Sequence, residues 1–193
     1  MTTDIYKTPD AEIHVPQQND AGYYVVSGKK FITLSILTMG FYIIYWFDRQ
    51  WRTIKVRDGL SIWPIPRAIF AIFFTHALYR TFDETLKNKN ISHNWQPERL
   101  ATIYVICALL SGICNQLSRV EVTSLIFSLL TLLILPFFIW SPYQAQMAVN
   151  AACDDPGGKS NSRFSTTNII FMVFCVLAWG LTIFGFYQLL VGL

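Results

Sequence analysis

The sequence predicts an all-α integral membrane protein with three transmembrane helices and two further membrane-embedded segments near its N-terminus. Three observations carry that reading. Of 193 residues, 53% are hydrophobic and only 14% are charged, whereas a soluble domain carries about 25% charged residues. Aromatic side chains make up 16% of the chain, a mix suited to lipid and to its interfaces. The charges are also clustered, leaving the stretches 31–47, 68–79, 100–118, 122–153 and 164–193 without any. This pattern excludes a disordered chain, a disulfide scaffold and an ordinary cytosolic enzyme.

Residues 1–22 form a polar, flexible tail, with Asp4, Asp10, Glu12 and Asp20 against Lys7. It lacks the basic start and apolar run of a secretory signal. Residues 23–99 hold two membrane-embedded segments separated by basic loops. The first, 31–47, would reach about 25 Å as a straight helix, so it either spans a thinned bilayer or folds back at Met39-Gly40. The second, 63–82, opens on Trp63-Pro64-Ile65-Pro66-Arg67, and its uncharged part, 68–79, is too short for a span and suits an interfacial or re-entrant helix. Pro64 and Pro66 belong in the first helical turn, where a missing N–H costs nothing.

Residues 100–193 supply the transmembrane helices, 100–117, 124–140 with an extension to 153, and 168–191, each near the length that crosses about 30 Å of hydrocarbon. Asp155-Pro156-Gly157-Gly158 is a helix stop. Ser165, Thr166, Thr167 and Asn168 are candidate caps for the last helix.

Basic residues near spans stay on the cytoplasmic side. If neither N-terminal segment crosses, 14 of the 15 Lys and Arg residues fall inside, the cleanest of three topologies. All three place 80–99 and 141–167 in the cytoplasm and the C-terminus outside. Cys153 is then the one cysteine beyond the hydrocarbon, expected to meet a thiol reagent from the cytoplasmic face.

Candidate chemistry is sparse. Arg49, Arg52, Lys55 and Arg57 follow Tyr45-Trp46-Phe47 and read as a polybasic strip against anionic lipid headgroups behind an aromatic belt, with no nucleic-acid motif beside them. Arg67 enters an apolar segment and is expected to snorkel to lipid phosphate. A polar site is conceivable from His76 and Arg80 on one segment with Asn115 and Gln116 at the end of a span. The cysteines and histidines lack metal-ligand spacing, so no metal or cofactor is expected.

Tyr24-Val25-Val26-Ser27-Gly28-Lys29-Lys30-Phe31 leading to Gly40-Phe41-Tyr42-Ile43-Ile44-Tyr45-Trp46-Phe47, then Arg67-Ala68-Ile69-Phe70 with Phe73-Phe74-Thr75-His76-Ala77-Leu78, and Asp155-Pro156 with Ser160-Asn161-Ser162-Arg163-Phe164, together resemble a family of small, uncharacterised bacterial inner-membrane proteins. The resemblance covers the chain from about residue 23 and implies a bacterial cytoplasmic membrane. It transfers no activity and no catalytic residue.

The expected function is therefore non-enzymatic: a small inner-membrane protein that binds lipid or a protein partner, as an adaptor, an assembly subunit, an immunity-type protein or a homo-oligomer. The alternative is an oligomeric channel or transporter. A lipid-directed enzyme using His76, Asp83, Glu84 and His93 ranks third, because nothing in the sequence brings those groups together.

Overall fold

The computed structural model describes residues 22–119 and 124–191. They form seven α-helices: α1 Gly28–Leu37, α2 Phe41–Arg57, α3 Pro64–Ile69, α4 Ala71–Asn88, α5 Pro97–Leu117, α6 Ser124–Ala152 and α7 Thr166–Val191. A 3-10 turn, Lys159–Asn161, precedes α7. Three of these helices, α5, α6 and α7, are long and apolar enough to cross a membrane. Residues 1–21 and 120–123 lie outside the described residues, and with them most of the predicted tail and the turn between the first two spans.

Three helix starts follow from local chemistry. Helix α3 begins on Pro64 and α5 on Pro97, positions where proline forfeits no helical hydrogen bond. Helix α7 starts in a reciprocal cap: the Ser165 N–H donates to Asn168 Oδ1 at 3.0 Å, and the Asn168 N–H donates to Ser165 Oγ at 3.2 Å. Helix α6 runs unbroken through Pro136 and Pro142 to Ala152, so the predicted extension is continuous with the span.

The stretch 31–47 is not one helix. Thr38 caps α1, Met39 adopts φ 51°, Gly40 adopts φ 87°, and the chain reverses into α2. A left-handed conformation at Gly40 carries no Cβ penalty. A Cβ there would meet the Phe138 ring at 3.3 Å, whereas one at Gly28 would meet Tyr143 at 3.0 Å. Helix α1 thus descends along α6 from the level of Tyr143 to that of Phe138, and α2 returns. The tip lies beside the span helices. Trp179 Nε1 donates to Ile36 O at 3.2 Å, and about 16 Å of helix separates Trp179 from Asn168. The indole adds a second donor to the Ile36 carbonyl at the end of α1, which also accepts from the Met39 N–H at 3.0 Å.

Helices α3 and α4 are joined through the single residue Phe70, with φ −95° and ψ 39°, and α3 packs against α2. Helix α4 runs antiparallel to α5: Arg80 Nη2 lies 3.0 Å from Glu98 Oε1, and His76 Nε2 lies 3.2 Å from Thr102 Oγ1. Phe70 sits about 9 Å further along α4 in the direction of the span. Ile69, Phe70 and Phe73 are exposed at this junction, while Thr75, Leu78, Tyr79, Phe82 and Leu86 face the protein. The helix continues to Asn88, so part of the predicted 80–99 loop is helical.

Between α1, α2, α4 and α6 lies an aromatic core of Phe31, Trp46, Phe47, Tyr79 and Phe82. An extended strap, residues 22–27, is threaded beside it. Buried backbone outside regular structure needs partners, and side-chain amides provide them. Gln50 Nε2 donates to Tyr24 O at 2.9 Å, Asn150 Nδ2 to Val26 O at 2.9 Å and Asn161 Nδ2 to Val25 O at 2.8 Å. Gln146 links this set, donating to Asn150 Oδ1 at 2.6 Å and accepting from Trp46 Nε1.

Cys153 corrects an expectation. It is only 4% exposed and packs in the core, because the strap and α2 cover the end of α6. Burial raises its thiol pKa, which makes it a poor reporter of sidedness. Position along the chain placed it beyond the hydrocarbon, but protein rather than water surrounds it.

Candidate functional site

Helices α1 and α2, the 161–165 loop and the first turns of α7 enclose a cleft of about 730 Å³. One end is polar, formed by Lys30, Asn161, Arg163, Ser165, Thr167 and Asn168. The walls beyond it are aromatic and apolar: Tyr24, Leu34, Phe41, Tyr42, Tyr45, Phe164 and Phe171. Phe41 and Phe171 also line a second, apolar cavity of about 270 Å³, which continues along α7 past Phe174 and Cys175 to Ala178. The two together form a groove, cationic at the end near the α7 N-terminus and apolar along the side of the span.

The sequence builds this site from residues far apart. Ser27 caps α1 by accepting from the Lys30 N–H at 3.4 Å. Lys30 Nζ donates to Asn161 Oδ1 and to Arg163 O, each at 2.7 Å. Its side chain is 4% exposed, and burial lowers its pKa. The 158–163 loop is held against the strap because Gly158, at φ +61°, lets the two backbones meet: a Cβ there would sit 2.6 Å from Ser27 Cα. Asp155 fixes the same loop, its oxygens accepting from the N–H groups of Lys159 and Ser160 at 2.9 Å. Burial opposes ionisation of Asp155, but those hydrogen bonds outweigh it and hold the carboxyl below its usual range.

None of the residues lining either part of the groove is Asp or Glu. Among the described residues, neither Lys30 nor Arg163 forms an ion pair. Tyr42 is 4% exposed, and its hydroxyl lies beside that of Tyr24 without a well-aligned hydrogen bond.

The predicted lipid strip lies on α2, but its members do different things. Arg49, Arg52 and Lys55 are exposed. Arg49 stands 5.5 Å from the Tyr24 ring centre, and Arg52 pairs with Asp48 at 2.6 Å. Arg57 turns toward the strap, 4.5 Å from the Tyr23 ring centre and 2.6 Å from Asp58. Arg67 lies between aromatic faces, 4.5 Å from Trp51 and 5.0 Å from Phe74, a cation–π arrangement that binds α3 to α2 and α4.

The polar set is divided. His76 and Arg80 meet Thr102 and Glu98 near the start of α5, while Asn115 and Gln116 are exposed at its other end, about 20 Å away along the helix. One copy of the chain does not bring them together. Among the described residues, no group of three His, Cys, Asp or Glu side chains is placed to hold a metal ion.

Sequence reasoning missed Lys30, Asn161, Arg163 and Tyr42 as a group. The chain was compared with protein-family models, curated proteins and solved structures, and nothing matches in any of the three.

Proposed function

We propose that this chain is a non-enzymatic, multi-pass protein of a bacterial inner membrane that binds a lipid from the cytoplasmic leaflet. The observation that carries the reading is the groove itself: a cationic, hydrogen-bonding end continuous with an apolar channel beside a membrane-spanning helix. That order of polarity matches an anionic amphiphile lying parallel to α7, with its headgroup at the level of Lys30 and its chain against Phe171 and Phe174. The positive-inside count supports a cytoplasmic position for the open end of the α1–α2 hairpin and for the 153–165 loop, with the C-terminus periplasmic. Arg49, Arg52 and Lys55 then face the same leaflet and draw anionic lipid toward the groove, each contributing about 1 kcal/mol near the surface. The sequence resemblance is consistent with this location.

Native mass spectrometry from mild detergent tests the proposal. The expected result is one phospholipid retained per chain through washes that strip the annular lipid. A folded, monodisperse and lipid-free chain under those conditions, with none regained on adding bacterial lipid extract, would overturn it.

A further inference from the structure

We infer that the groove selects an amphiphile ending in a phosphate monoester, one that carries close to two negative charges, over a singly charged phosphodiester lipid. The inference rests on the lipid-binding reading above and adds the chemistry of the headgroup.

The polar end presents two cations, Lys30 and Arg163, with no carboxylate on the walls. A buried cation without a counter-ion is costly, and for Lys30 two neutral acceptors, Asn161 Oδ1 and Arg163 O, leave the charge itself uncompensated. The third ammonium proton has no acceptor among the described residues. The first turn of α7 lies at the same end. Its Ser165–Asn168 cap uses the N–H groups of those two residues, while the N–H groups of Thr166 and Thr167 fall outside the intrahelical ladder. They add the partial positive charge of a helix N-terminus. The summed positive charge exceeds what one phosphodiester neutralises and matches a monoester, which carries about −1.5 to −2 at pH 7.

The Tyr42 hydroxyl, set beside that of Tyr24 without a well-aligned hydrogen bond, is a further polar group available to a ligand. It belongs to the same walls, on a ring that packs 5.6 Å from Phe31, next in sequence to Lys30. It provides a donor for a further ligand oxygen between the cationic end and the apolar channel. Below it, the cavity along Phe174, Cys175 and Ala178 admits a chain about 15 Å long, the helical distance from Asn168 to Ala178.

The test is competitive retention by the full chain in detergent, read by native mass spectrometry. The probes are phosphatidate and phosphatidylglycerol with identical acyl chains, at equal concentration, with and without inorganic phosphate. At pH 8 the expected result is phosphatidate retained about tenfold over phosphatidylglycerol. That preference should shrink below about pH 6 as the monoester takes up its second proton. Arg163→Gln should lower the preference at pH 8 to less than threefold. Tyr42→Phe should weaken retention of phosphatidate with the melting temperature little changed, because the hydroxyl forms no well-aligned hydrogen bond within the protein. Equal retention of the two lipids at pH 8 overturns the inference and leaves lipid binding standing, whereas retention of neither removes both. Displacement of phosphatidate by millimolar inorganic phosphate also overturns it, by showing that the site reads free phosphate. Unchanged selectivity in Arg163→Gln would equally count against it.

Discussion

Gly158 and Gly59 share a backbone conformation, with φ +61° and +63°, but not an environment, and that contrast isolates what holds the cationic end of the groove together. Around Gly59 a new Cβ meets nothing within 4 Å, so Gly59→Ala costs only the left-handed strain of about 1–2 kcal/mol. At Gly158 the same atom would stand 2.6 Å from Ser27 Cα, Ser27 N and Val26 C. These are backbone atoms of the buried strap and cannot rotate away, so loop and strap must separate. The bond from the Ser27 N–H to Asn161 O at 3.3 Å and that from Asn161 Nδ2 to Val25 O at 2.8 Å are then lost, at about 1 kcal/mol each. Gly158→Ala should therefore cost about 3–4 kcal/mol, some 2 more than Gly59→Ala. For a chain of this size that excess lowers the melting temperature by about 4–8 °C. Tryptophan fluorescence during heating in detergent measures both variants, and lipid retention should fall only in Gly158→Ala. Equal melting temperatures would show that loop–strap contact contributes nothing beyond backbone strain.

Three further outcomes follow from the same geometry. Trp179→Phe removes the donor to Ile36 O at the α1–α2 tip and should cost about 1 kcal/mol, read as a lower melting temperature with unchanged helical circular dichroism. Asp155 titrates below its unfolded value, so its stabilisation is fully present above about pH 4 and is lost as pH falls through the folded pKa; the gap in thermal stability between the native chain and Asp155→Ala should close under acid and stay constant from pH 5 to 7. Cys153, buried and with a raised pKa, should react with maleimide only after denaturation, and rapid labelling of the folded chain in detergent would show that the strap is not seated.

The spans were legible because the bilayer sets a length and an apolar requirement that α5, α6 and α7 meet with no charge between Leu100 and Leu117, between Ser124 and Ala152, or after Phe164. Gly40 was visible as a break, yet hydropathy alone does not separate a short span from a hairpin. What decides the matter is Gly40 against Phe138 and Trp179 against Ile36, contacts about a hundred residues or more apart. The basic residues of α2 were legible as a charged run, while the burial of Gln50, Trp51 and Ile54 on its other side and the turn of Arg57 toward Tyr23 depend on the strap. The groove was least legible. Lys30 read as one more cytoplasmic lysine, and its role follows from Asn161, 131 residues away. Gln146 and Asn150, spaced by four at the end of a largely apolar helix, were a local hint of a buried polar network.

On the proposed function the α1–α2 hairpin enters and leaves the membrane by the same face, and that reversal forms one wall of the groove. Lys29 and Lys55 are exposed on either side of the tip, so single cysteines at these positions, in a chain with its four native cysteines replaced by serine or alanine, report the two ends directly. With an impermeant maleimide on sealed spheroplasts and on inside-out vesicles, Lys29→Cys and Lys55→Cys should both label in the vesicles and neither in the spheroplasts. Labelling of the two positions from opposite faces would mean that residues 31–47 cross the membrane, and the groove as described would not exist.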